Sequence, residues 1–99
     1  MEMNQLPDLE RNYRTAFLRY LVRREEGPLH VGYVLGRSAV ADGLSILDLA
    51  QVHHEVLLGA LRDSPAEDLS SIATAASEFL VEVLAAYDMA QRVFRPEPS

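Results

Sequence analysis

Apolar residues recur at three- and four-residue intervals along four stretches of the chain, separated by glycine, proline and short acidic runs. No stretch of useful length alternates apolar and polar positions, so the pattern predicts helices and no sheet. The first helix starts near Pro7-Asp8, with the stripe Leu9, Tyr13, Ala16, Phe17, Tyr20 and Leu21, and ends at Glu25-Glu26-Gly27-Pro28. The second covers about Pro28 to Asp42. Gly43 is placed to terminate it in the left-handed region, and Ser45 with Asp48 three residues on forms a capping box for the third helix. That third helix, about Ile46 to Leu61, carries Ile46, Leu49, Ala50, His53, Val56, Leu57, Ala60 and Leu61 on one broad face. Arg62-Asp63-Ser64-Pro65 breaks it, with Ser64 able to cap and Pro65 suited to a first turn. The last helix continues from Leu69 through Ile72, Ala73, Ala76, Phe79, Leu80, Val83, Tyr87, Ala90 and Phe94.

Two local irregularities in this pattern carry information. Gly32 and Gly36 stand four apart inside the second helix, where each glycine costs about 1 kcal/mol relative to alanine. A strip without side chains lets another backbone approach, so the pair predicts close helix packing or a dimer contact. In the last helix every residue from Phe79 to Tyr87 except Glu82 is apolar. One buried face cannot absorb them all. Val81, Leu84 and Ala85 are the surplus, and they predict a second covered surface, on another chain or on a partner.

Composition adds a boundary. The 99 residues are 48% hydrophobic and 24% charged, which suits one globular domain. The net charge is −6, and it is unevenly spread: residues 1–37 carry six arginines against five acids, while residues 38–91 carry Arg62 alone against nine. An acidic body without a basic face argues against nucleic acid. The Asp42-Gly43-Leu44-Ser45 corner has a helix-turn-helix look, but the helix after it carries Asp48 and Glu55 and no cation before Arg62, so it would repel phosphates. The absence of cysteine suits a reducing compartment, and neither a secretory leader nor a run of about 18 apolar residues is visible, so a cytoplasmic, non-membrane protein is expected.

No catalytic constellation emerges. His53-His54-Glu55 lacks the zincin spacing, because position 58 is Leu, and adjacent histidines diverge by about 100° around a helix. No metal and no cofactor are expected. His53 is read as a structural polar residue bonded to a buried neighbour such as Glu82, and Glu82 as its counterpart or as one polar residue on a wet line. No serine stands in a nucleophile elbow, and no glycine loop is shaped to cradle phosphate.

Leu35-Gly36-Arg37, Gly43-Leu44-Ser45-Ile46-Leu47-Asp48-Leu49-Ala50 with His53, the later run Phe79 to Ala90, and the flanking Arg19-Tyr20-Leu21 together resemble the N-terminal domain of RsbU-type phosphoserine phosphatases. The likeness spans residues 13–94 and runs without a gap from Leu29 through Leu57. It implies an all-α four-helix bundle, KaiA/RsbU-like and dimeric, that captures the kinase-like switch protein RsbT and thereby activates an attached metal-dependent serine phosphatase. That enzyme dephosphorylates an anti-sigma antagonist in bacterial stress signalling. The resemblance implies a partner groove at His30, Val81 and Ala85, and Leu84 adjoins it. Two departures accompany the likeness. His30 stands where an aromatic docking residue is expected, and Pro96 and Pro98 interrupt the path toward a C-terminal output domain.

The expectation is therefore a flexible segment 1–7, a helical regulatory domain 8–95 and a Pro-rich linker 96–99. The domain itself is non-catalytic, homodimeric and docks an RsbT-like switch protein. The alternative is a purely structural dimerisation module of another signalling protein, such as a sensor kinase.

Overall fold

Helix α1 (Leu6–Val22), α2 (Glu26–Ala41), α3 (Ile46–Arg62) and α4 (Leu69–Phe94) make up a computed structural model that describes residues 6–94; a single 3-10 turn, Ala66–Asp68, leads into α4. No strand occurs among the described residues. The expected flexible stretch overlaps this frame at its end, since Leu6 and Pro7 already belong to α1. The remainder of that stretch, the Phe94 side chain and the Pro-rich linker lie outside the described residues.

The breaks between helices follow local chemistry, with two shifts from the sequence expectation. The first break falls at Arg23–Glu25, earlier than Gly27-Pro28, and Pro28 sits inside the first turn of α2. A first-turn N–H has no partner within its own helix, so proline loses nothing there. At the second break Gly43 takes φ 76°; its N–H bonds the Val40 carbonyl at 3.1 Å and the Leu44 N–H bonds the Ala39 carbonyl at 2.9 Å. These paired bonds form a Schellman closure, which only a residue free of Cβ strain adopts readily. Ser45 then caps α3: its hydroxyl accepts from the Asp48 N–H at 3.1 Å, while the Asp48 carboxylate accepts from the Ser45 N–H at 2.9 Å. At the third break Ser64 does not cap the last helix. Its hydroxyl donates to the Ala60 carbonyl at 2.8 Å and so closes the end of α3.

Phe79 of α4 is fully buried at the centre of the core. Tyr13 meets it edge-on at 5.2 Å between ring centroids, with Phe17 at 5.8 Å and Tyr20 at 6.0 Å. Three rings of α1 thus converge on one ring of α4, an arrangement that adds edge-to-face attraction to burial. The inward face of α3 is turned from the expected stripe: Leu49, Val52 and Val56 are buried, while Ile46 and Ala50 face solvent. On α4 the core face is shifted from the expected stripe: Ala75 and Ala86 are fully buried alongside Ile72, Ala76, Phe79, Val83, Tyr87 and Ala90, whereas Leu69 and Ala73 are exposed and Leu80 is half-buried.

The closest helix contact is between α2 and α4. A Cβ placed on Gly36 would collide with the Val83 carbonyl oxygen and meet the Ala86 Cβ and the Tyr87 nitrogen, each at 3.0 Å. One on Gly32 would meet the Phe79 ring at 3.1 Å and the Val83 side chain at 3.2 Å. The glycine strip is therefore occupied within the chain, by α4, and is not available to a second copy. Residues rising together along both helices show that α2 and α4 run in the same direction. By length and composition the stretch Ala66–Val93, which contains most of α4, would also pass as a membrane span, with a mean hydropathy of 1.4 over its most apolar window. A third of that window is buried, with Ile72, Ala75, Ala76, Phe79, Val83 and Tyr87 in the core, while Val81, Met89 and Val93 remain exposed.

Gly36→Ala is expected to destabilise the domain by about 2–3 kcal/mol, because the obstructing atoms are backbone and cannot rotate away. Gly32→Ala meets only side chains and should cost less. Gly27, which has open space around its Cβ position, should tolerate alanine with a gain of a few tenths to about 1 kcal/mol. Urea unfolding of the three variants measures the order.

Candidate functional site

The outward side of α4 is where the sequence surplus lies. Val81 is 63% exposed, Met89 56% and Val93 78%, and Ala85 is exposed between them. At a spacing of four residues these side chains follow one slowly drifting line along the helix. Leu84 belongs only partly to this line; it is half-buried and packs against the core of its own chain, so the expected docking role rests on its outer edge alone.

The line runs into α2. Tyr33 and Arg37 border a shallow pocket of about 190 Å³ with Ala86, Met89, Ala90 and Val93. Tyr33 is held in a column: His30 stacks on it at 5.6 Å between ring centroids, nearly parallel, and the Arg37 guanidinium lies 6.0 Å from its centroid on the same helix. Spacings of three and four place these groups on one face of α2. His30 is exposed, so a flat aromatic–cationic ladder stands beside an aliphatic one. Tyr33, Arg37, Met89 and Val93 were not among the expected site residues. Extending the Val81, Ala85 spacing by fours would have found Met89 and Val93. Tyr33 and Arg37 had no sequence signal, since their place depends on how α2 lies on α4.

The two expected structural polar residues do not meet. His53 on α3 is half-buried, and its Nδ1 is 2.8 Å from the Tyr13 hydroxyl of α1. Its ring stands edge-on to Tyr13 at 5.9 Å. Burial raises the Tyr13 pKa, and burial followed by the neighbouring His54 charge lowers that of His53. Both neutral forms are favoured, and the Tyr13 hydroxyl has no other acceptor among the described residues, so it donates to Nδ1 and leaves the imidazole proton on Nε2. Glu82 lies instead on the flank of α4 that faces Tyr20. The Tyr20 hydroxyl donates to Glu78 at 2.8 Å; burial, this bond and the Glu78 charge raise the Tyr20 pKa, with Glu82 adding a smaller repulsion. The correction has a helical cause: Glu82 and Phe79 are about 60° apart around α4, and the side of Phe79 that looks toward α3 is the other one.

Further polar links fasten the bundle ends. Arg24 donates to the Ser71 carbonyl at 2.7 Å and to its hydroxyl at 3.0 Å, while Tyr87 donates to the Leu44 carbonyl at 2.8 Å, tying α4 to the α2–α3 corner. Among the described residues no buried side-chain nitrogen or oxygen lacks a partner, and no group of three or more His, Asp or Glu converges as a metal site. The arrangement offers an apolar contact face along α4, bordered by Tyr33 and Arg37 of α2.

The chain is an all-α bundle whose long last helix leaves an apolar line uncovered, and its class is set by the sequence family it matches. A family model described as phosphoserine phosphatase RsbU, N-terminal domain, matches residues 11–90, and the chain belongs to this family of regulatory domains. No curated protein and no solved structure matches it significantly.

A base whose pKa falls on folding stabilises the fold while it is neutral. The contribution of His53 is complete above its unfolded value of 6.5 and is lost as pH drops through the lower folded value. The urea midpoint of the domain should therefore fall between about pH 7.5 and pH 5.5, and His53→Gln should flatten that fall. An unchanged slope in the variant would assign the effect elsewhere.

Proposed function

We propose that this domain is a dimeric, non-catalytic receiver that docks an RsbT-like switch protein and passes the event to a metal-dependent serine phosphatase on its C-terminal side. The observation that carries the reading is the uncovered stripe Val81, Ala85, Met89 and Val93 beside Tyr33, on a chain of the RsbU N-terminal family. Aliphatic side chains with such exposure gain most from a partner that dehydrates them, and the stacked Tyr33 ring beside them is a suitable anchor. The partner lays an apolar element along the stripe, with His30 and the outer edge of Leu84 at its margin. The acidic body, at a net charge of −6, speeds the approach of a basic surface.

The output follows from a shift in population. The switch protein binds one arrangement of two protomers better than the other, and the phosphatase senses that arrangement. Dephosphorylation of an anti-sigma antagonist in the cytoplasm is the stress response so controlled. The stacking of His30 on Tyr33 supplies an aromatic platform even though position 30 is not a tyrosine or phenylalanine, which supports docking by a switch protein adapted to this variation.

Val81→Asp tests the reading. Light scattering after size exclusion should still give a dimer, while affinity for the RsbT-like protein encoded in the same genome should fall at least ~10-fold, about 1.4 kcal/mol. Loss of the dimer with the substitution would favour a purely structural dimerisation module. A variant that keeps both properties would remove the stripe from the mechanism.

A further inference from the structure

A second apolar surface lies on the far flank of α2. Leu18 and Val22 of α1 and Val31 of α2 line a groove of about 710 Å³, with Arg19, Arg23, Gly27 and Pro28 completing its walls. Val22 is 84% exposed, Leu18 44%, Val31 39%, and Val34, one turn further along α2, 47%. At 100° per residue, Val31 and Tyr33 stand about 160° apart around α2, so this groove is separate from the stripe on α4. It exists because α1 ends at Val22 and the chain reverses within three residues, while Gly27 contributes no side chain to fill the corner.

The charges around it are the exception in an acidic molecule. Arg11, Arg14, Arg24 and Arg92 each pair with a carboxylate, whereas Arg19 and Arg23, the two that line the groove, have no ion-pair partner among the described residues, as is also true of Arg37 and Arg62 elsewhere. Glu25 and Glu26, the next carboxylates along the chain, pair with neither. Two guanidiniums four residues apart, Arg19 in the last turn of α1 and Arg23 just past its end, stand beside Leu18 and Val22 and present a cationic edge along an apolar trough.

We propose that this groove docks an acidic amphipathic helix of another protein, with apolar side chains seated on Leu18, Val22 and Val31 and carboxylates engaged by Arg19 and Arg23. Guanidinium–carboxylate pairing fixes orientation, and the aliphatic floor provides the burial. A helix fits better than a lipid surface, because the feature is a concave channel between two helices and a bilayer surface is too flat and too broad to enter it.

The test uses the whole chain and a synthetic helical peptide of about five turns. One face carries leucines at i, i+4 and i+7, flanked by glutamates; a control peptide carries lysines in their place. Methyl NMR spectra should show the glutamate peptide shifting Leu18, Val22 and Val31, with affinity that weakens as salt is raised. Combined Arg19→Glu and Arg23→Glu substitution should reduce that affinity at least ~10-fold. Both side chains are exposed and unpaired, so the thermal melt should stay unchanged. Val81→Asp should leave the peptide affinity intact. The proposal is overturned by equal or tighter binding of the lysine peptide, by shifts confined to Val81, Met89 and Val93, or by no binding. It is equally overturned if the same methyls respond to phosphatidylserine vesicles more than to the peptide, or to protein concentration alone.

Discussion

The approach of α2 to α4 at Gly36 sets the rest of the molecule. With the Val83 carbonyl where a side chain would otherwise stand, the two helices touch backbone to backbone over a short length, and their side chains are pushed to either flank. On one flank Tyr33 and Arg37 meet Ala86, Met89 and Val93; on the other Leu35 and Ala39 turn toward α1. The exposed line on α4 and its border with Tyr33 are consequences of this contact. Had α2 stood a side chain further off, the space beside Met89 would be filled by larger inward residues and the outer line of α4 would be less distinct from its core face.

The contact also explains how so apolar a helix is tolerated. α4 needs a wide buried arc because it is covered by three helices, and small residues at Ala75, Ala76, Ala86 and Ala90 let those helices close in. Alanine offers little area to hide, so stability is drawn from Phe79 and the three α1 aromatics that converge on it. Large aromatic groups hold the bundle from within, and the medium aliphatic groups Val81, Met89 and Val93 stay outside.

Much of this was legible in the residues. The four helices, the Gly43 closure and the Ser45–Asp48 box follow from local rules that depend on neighbours within a few positions, and local rules transfer directly from sequence to structure. Gly32 and Gly36 announced a close approach but not its partner, because a missing side chain says nothing about which backbone comes near. The same limit applies to His53. Burial demanded a hydrogen-bond partner, yet the choice between Tyr13 and Glu82 depends on the rotation of α3 against α1, which the shift from Ala50 to Val52 on its inner face reveals. Val81 and Ala85 could be identified as surplus by counting, whereas Tyr33 joins them only through the crossing of two helices.

The two apolar surfaces differ in what surrounds them, and that difference bears on how a regulatory domain keeps its contacts distinct. The α4 stripe is bordered by His30, Tyr33 and Arg37 in a stacked column whose members already engage each other, so its polar rim is partly satisfied before anything docks. The α1–α2 groove is bordered by guanidiniums with no ion-pair partner among the described residues. A ligand that brings carboxylates gains at the second surface what it would not gain at the first, and a mainly aliphatic ligand gains at the first without displacing charge at the second. Separation of binding by rim charge needs no change in the floor of either surface. Under the two proposed dockings, one small bundle would hold two protein contacts, each selected by electrostatics at its edge and held by the same kind of aliphatic burial.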